Sequence, residues 1–185
     1  IWSGVDCMSK LINKAEDLAE SLLAQQGITS LPIEPQEIAL ALGIEVEYKP
    51  FEDNLSGVLL RSQKKTVIAV RKRDSLNRKR FTIAHELGHY SFNHIGDVFI
   101  DHAVVNRRDT ISQIAIDPQE IEANAFAAAL LMPKSMILRE LNALISAEQS
   151  QSLSTTQLID ELVIKFKVSK SAMTYRLINL GFIPV

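Results

Sequence analysis

Arg80-Phe81-Thr82-Ile83-Ala84-His85-Glu86-Leu87-Gly88-His89-Tyr90 is the stretch that organises the whole chain. His85 to His89 has the form H-E-x-x-H, and the apolar spacing of Phe81, Ala84, Leu87 and Gly88 predicts a helix from about Ser75 to Asn93. Four residues advance a helix by about 6 Å and 400°, so both imidazoles leave one face and can converge on one metal ion. Glu86 is turned about 100° from His85 and is no comfortable ligand from the same helix. Its place is that of a general base, holding and deprotonating a water that the metal activates.

A catalytic zinc needs three protein ligands and one open position. The single cysteine, Cys7, leaves histidine or a carboxylate as the third. A metzincin would carry Gly and His at positions 92 and 95; these are Phe92 and Ile95, which excludes that class. His94 is expected on the wrong helix face and His102 in a connecting segment. The downstream run Glu120-Ile121-Glu122-Ala123-Asn124 supplies carboxylates on a second helix. Its two glutamates are about 200° apart, so only one can face the metal. Glu120 is the choice and Glu122 the alternative. Asn124, one turn from Glu120, can accept the spare ring N–H of a ligating histidine, and Glu122 is expected as an outward charge at the helix start. Tyr90 and His94 are candidates for stabilising an oxyanion.

Working outward, apolar periodicity predicts helices over Leu11 to Leu23, Gln36 to Leu42, Gln119 to Met132, Lys134 to Leu144, Gln157 to Phe166 and Ser171 to Leu180. Short β-branched runs at Ile44 to Tyr48, Ser56 to Leu60 and Thr66 to Val70 read as a small antiparallel sheet, with a further short strand at Val98 to Ile100. Gly96 to Pro118 is a long connection, and Ser146 to Ser154 is the best linker. The expected organisation is α+β: residues 8–148 as the catalytic domain and 149–185 as a helical segment packed on it. Ile1 to Cys7 read as an added tail ahead of a natural start at Met8.

The 185 residues are 46% hydrophobic and 23% charged, with Lys+Arg 20 against Asp+Glu 22 and a net charge of -2. That composition suits a globular domain and gives no global attraction to nucleic acid or an anionic membrane. Apolar runs such as Ala127 to Met132 are too short to span a bilayer. One cysteine and no secretory apolar core at the start lead to the expectation of a cytoplasmic protein. The basic run Arg71, Lys72, Arg73, Arg78, Lys79 and Arg80 reads as a solvated approach to the active-site helix.

The stretch from Arg80 to Tyr90, together with Glu120 to Ala127, Leu130-Leu131-Met132-Pro133 and the upstream Leu55-Ser56-Gly57-Val58, resembles the ImmA/IrrE family of zinc-dependent metallopeptidases. The resemblance covers roughly Leu11 to Leu180. It implies a zincin-like fold with Zn2+ held by His85, His89 and Glu120, and with Glu86 as the catalytic acid/base. It also implies a bacterial, intracellular protein from a mobile-element, stress-response or toxin–antitoxin locus, whose substrate is an Xre-type helix-turn-helix repressor. One departure is that family members often carry a histidine four residues after the second motif histidine, where this chain has Asn93, with His94 one later. The segment from Phe166 to Gly181 resembles a helix-turn-helix or winged-helix element. Lys165, Lys167, Lys170, Tyr175, Arg176 and Asn179 could reach DNA, but Met173, Leu177 and Leu180 mark a packing or substrate-docking helix.

The expectation is therefore a zinc endopeptidase that cuts a partner repressor, with Ser56 to Leu60 offering a strand edge to the substrate backbone. Its rival is a DNA-binding or repressor-binding regulator with a non-catalytic metal site.

Overall fold

Val67 to Val70 are buried without interruption, and a strand buried on both faces belongs inside a sheet, with partners on both edges. The computed structural model describes residues 4–51, 55–94, 98–102, 117–147 and 154–184. In it β1 (Ile44–Lys49), β2 (Leu55–Arg61), β3 (Thr66–Arg71) and β4 (Val98–His102) form one sheet in the order β1-β3-β2-β4. β2 pairs antiparallel with β3 on one side and β4 on the other.

The remaining pairing corrects the expectation of a wholly antiparallel sheet. β1 runs parallel to β3, with Ile44 opposite Thr66 and Lys49 opposite Arg71. β1 is buried only at Ile44, so it suits an edge, while the apolar β3 takes the interior. The chain between β1 and β2 must then pass a strand. A second expectation also changes: Ser56 to Leu60 is flanked by β3 and β4 and has no open edge for an added substrate strand.

Seven helices lie in the described residues: α1 (Gly4–Gln25), α2 (Pro35–Ala41), α3 (Leu76–Ser91), α4 (Pro118–Leu131), α5 (Lys134–Ala147), α6 (Thr155–Phe166) and α7 (Lys170–Asn179). α1 starts at Gly4 and runs through Cys7 and Met8 into the periodic stretch at Leu11. α3 lies against β2 and β3 on one side and α4 on the other, and α4 in turn packs on α1. This central position explains why α4 buries Ala123, Phe126, Ala127, Ala129, Leu130 and Leu131, residues spread around its circumference. The span Pro118–Ser146 is long and apolar enough to cross a membrane by composition, but it is broken at Pro133 and mostly buried in the fold.

In the C-terminal segment, Ser154 and Gln157 form a reciprocal capping box on α6. Lys167 ends that helix in the left-handed region at φ 51°, and Ser169 caps α7. Ile159, Leu162, Phe166, Met173 and Leu177 join the same apolar cluster as α1, α3 and α4. Most of the Gly96 to Pro118 connection, and residues 148–153 of the linker, lie outside the described residues.

Candidate metal centre

Ser75 starts α3 by accepting a hydrogen bond from the Arg78 N–H at 3.3 Å. The helix then carries His85, Glu86 and His89 into the interior, at 2%, 0% and 1% exposure. Three polar residues buried to this degree need compensating partners. The Nε2 atoms of His85 and His89 stand 3.1 Å apart. Glu120, on the first turn of α4, puts Oε2 3.4 Å from His85 Nε2 and Oε1 3.3 Å from His89 Nε2. Burial alone would raise the Glu120 carboxyl, but the two imidazoles outweigh it and hold the group well below the ordinary carboxylate range. Burial pushes the His89 imidazole below its ordinary value, against the pull of Glu120, which favours the neutral form that can ligate a metal.

The approach of α4 to α3 depends on Gly88. A Cβ there would lie 2.9 Å from the Ala123 Cα and 3.2 Å from the Ala123 carbonyl oxygen. Both are backbone atoms, so a side chain at this motif position would force the helices apart.

The outward ring nitrogens are also engaged. His85 Nδ1 donates to Asn124 Oδ1 at 3.1 Å, the contact anticipated from the spacing of Glu120 and Asn124. His89 Nδ1 instead meets His94 Nδ1 at 2.9 Å, and His94 Nε2 meets Glu122 Oε2 at 2.9 Å. Two expectations change here. Glu122 is not an outward charge: it is 7% exposed and takes a second contact from Lys14 of α1 at 3.1 Å. Burial would raise its carboxyl, but His94 and Lys14 lower it overall. His94 is not on a helix face at all, because α3 ends at Ser91.

Asn93 adopts φ 52°, and the His94 N–H then bonds back to the His89 carbonyl at 3.1 Å while Asn93 N–H bonds to Tyr90. This left-handed cap folds His94 against the second motif histidine. Asn93 was the available sequence signal, since Asn tolerates that conformation. Arg61 of β2 reinforces the cap, donating to the His89 carbonyl at 2.8 Å and the Asn93 amide oxygen at 3.0 Å.

Glu86 faces the sheet. Its Oε1 would stand 3.0 Å from a Cβ on Gly57, and the Thr82 methyl 2.2 Å from it. Gly57 thus lets β2 lie directly on the helix that carries the carboxylate.

Tetrahedral zinc with bonds of about 2.0–2.2 Å holds its ligand atoms about 3.3 Å apart. The separations of 3.1, 3.3 and 3.4 Å among His85, His89 and Glu120 match that spacing. With Nδ1 of His85 committed to Asn124, its Nε2 lone pair faces the same point. The donor set fits a metal ion. A sequence model described as the IrrE N-terminal-like domain, Peptidase M78, matches residues 39–178. The chain belongs to this family. No curated protein matches it. The match to Peptidase M78 runs from within α2 into α7, so it takes in both helices of the centre and stops short of α1, which supplies Lys14.

The other residues raised by the M78 chain's sequence lie elsewhere. Tyr90 packs beneath Arg61, 5.4 Å from its guanidinium. Within the basic run, Arg71 pairs with Asp74 at 2.6 Å and Arg80 with Glu34 at 2.5 Å, and both arginine side chains are largely buried; these two arginines correct the reading of that run as solvated. In the C-terminal segment Lys165 pairs with Glu140, Lys167 with Glu34 and Lys170 with Asp160. Arg176 is 5% exposed and bound by Glu16.

Proposed function

We propose that the chain is a zinc-dependent endopeptidase that cleaves a partner helix-turn-helix repressor of the Xre type inside a bacterial cell, releasing the genes the repressor holds. The observation that carries the peptidase reading is the convergence of His85, His89 and Glu120 beside a buried Glu86, in a chain of the M78 peptidase family. Zinc bound there supplies a Lewis acid that lowers the pKa of water to about 7. Glu86 takes the proton from the attacking water and delivers it to the leaving amine. Asn124 keeps His85 oriented, and Glu120 contributes the negative charge that two neutral imidazoles lack.

The repressor as substrate rests on the resemblance to the ImmA/IrrE family. The pairing of Lys165, Lys167, Lys170 and Arg176 with carboxylates favours packing or substrate docking over DNA reading for α6 and α7. The test is co-expression of the chain, or its Glu86→Gln variant, with the repressor encoded beside it. Intact mass and zinc content are followed together. Cleavage by the parent alone, with about one zinc per chain in both, is the expected result. An intact repressor held in a stable complex by both proteins would replace this reading with that of a binding regulator.

A further inference from the structure

His94 and Glu122 form a buried pair outside the ligand set, and their contacts lead to the outward nitrogen of His89. An ionised carboxylate only accepts hydrogen bonds. His94 Nε2, 2.9 Å from Glu122 Oε2, must therefore carry a proton. Its other nitrogen, Nδ1, faces His89 Nδ1 at 2.9 Å, where a ring carrying a single proton on Nε2 offers a lone pair. A His89 that ligates through Nε2 carries its proton on Nδ1 and can donate it across that contact, leaving the Nε2 lone pair toward the point it shares with His85 and Glu120. The remaining Glu122 oxygen accepts from Lys14.

The ring of His94 is also fixed in orientation. Phe92 stacks on it with centroids 5.2 Å apart and planes within 5°, and the left-handed Asn93 sets where the backbone delivers it. Resting on the metal-centre reading above, we infer that His94, anchored by Glu122, is a positioning residue that selects the Nδ1–H form of His89 and aims its Nε2 at the metal. It does for His89 what Asn124 does for His85, through an imidazole rather than an amide. Lys14 extends the chain of contacts to α1, so the N-terminal helix is linked to a ligand borne by another helix.

The test uses the full chain and two readouts that do not depend on peptidase activity. Zinc affinity is measured by chelator competition, and the His89 Nδ1–H of the zinc-loaded protein is followed by proton–nitrogen NMR. In the parent, that proton is expected to be hydrogen-bonded and slow to exchange with water. His94→Phe keeps the stacked ring but removes the acceptor, and is expected to weaken zinc binding by about 10- to 100-fold and to leave the His89 Nδ1–H in fast exchange. Glu122→Gln replaces the accept-only carboxylate with an amide that can present either its oxygen or its NH2 to His94, and is expected to give a smaller loss. Melting of the metal-free variants checks that the fold is intact. Folded variants with parental zinc affinity and an unchanged, slowly exchanging His89 Nδ1–H would overturn the assignment of His94. A parent that binds zinc no better than a His85→Ala variant would overturn the metal centre itself.

Discussion

Gly88 of α3 and Ala123 of α4 meet at backbone distance, with room for a hydrogen but not for a Cβ. This contact lets a carboxylate from one helix reach two imidazoles on another. Gly88→Ala therefore acts on the metal centre although it removes no ligand. The helices must separate by several tenths of an ångström, at a cost of about 1–3 kcal/mol for overpacking. Zinc affinity should fall more steeply than stability; chelator competition alongside urea unfolding reads both.

Gly57 makes the corresponding contact with Thr82 and Glu86. Thr82 is β-branched and fully buried, so its methyl cannot swing aside cheaply. Gly57→Ala is expected to lower stability by about 1–3 kcal/mol and to displace Glu86. Peptide cleavage should then drop while zinc content holds, the opposite emphasis to Gly88→Ala.

Glu120→Ala removes a ligand atom and leaves two neutral imidazoles, so stoichiometric zinc should be lost on dialysis. Glu122→Ala leaves all three ligands and should retain zinc at reduced affinity. Metal analysis of the two dialysed proteins separates the adjacent carboxylates.

Arg176 and Glu16 join α7 to α1 below the surface. Breaking a buried pair from one side leaves the other charge uncompensated, and Arg176→Met is expected to cost roughly 3 kcal/mol, the low end for such pairs because Glu16 keeps some contact with water. Adding Glu16→Gln should recover part of the loss. Urea unfolding of the single and double variants measures the coupling.

Glu140 of α5 accepts from Lys165 of α6 at 2.7 Å, a bond that lowers its carboxyl below the ordinary value against a small opposing effect of burial, with Arg139 assisting. A lowered folded-state value means stability is fully present above the unfolded value of about 4.3 and is lost as pH falls through the lower folded one. The contribution should be at most about 1 kcal/mol, as for a partly exposed bridge at the protein surface. Urea midpoints from about pH 6 to pH 3 should fall less in Glu140→Gln than in the parent.

Most element positions were legible because periodicity and end signals agree. Pro35 and Gly43 bracket α2, Pro133 stops α4, and the β-branched runs mark β1, β2 and β3. The pairing partner of β1 was not legible. Parallel and antiparallel neighbours use the same side-chain alternation, and only the competition of β1 and β3 for the buried position selects between them. The reading of His94 failed for a local reason: helix periodicity was carried to Asn93, whereas a left-handed residue there reverses the chain and changes which direction His94 faces.

The sequence by itself determined the chemistry: two imidazoles one helical turn apart, a carboxylate between them, and an acidic turn downstream with an amide four residues beyond Glu120. Those relations follow from the fixed rise and rotation of a helix, which any reader of the chain can apply. Only the tertiary structure decided which groups support them. Glu122 is buried rather than solvated because α1 brings Lys14 to it and the end of α3 brings His94. Burial depends on what packs from distant parts of the chain, and no local pattern encodes that.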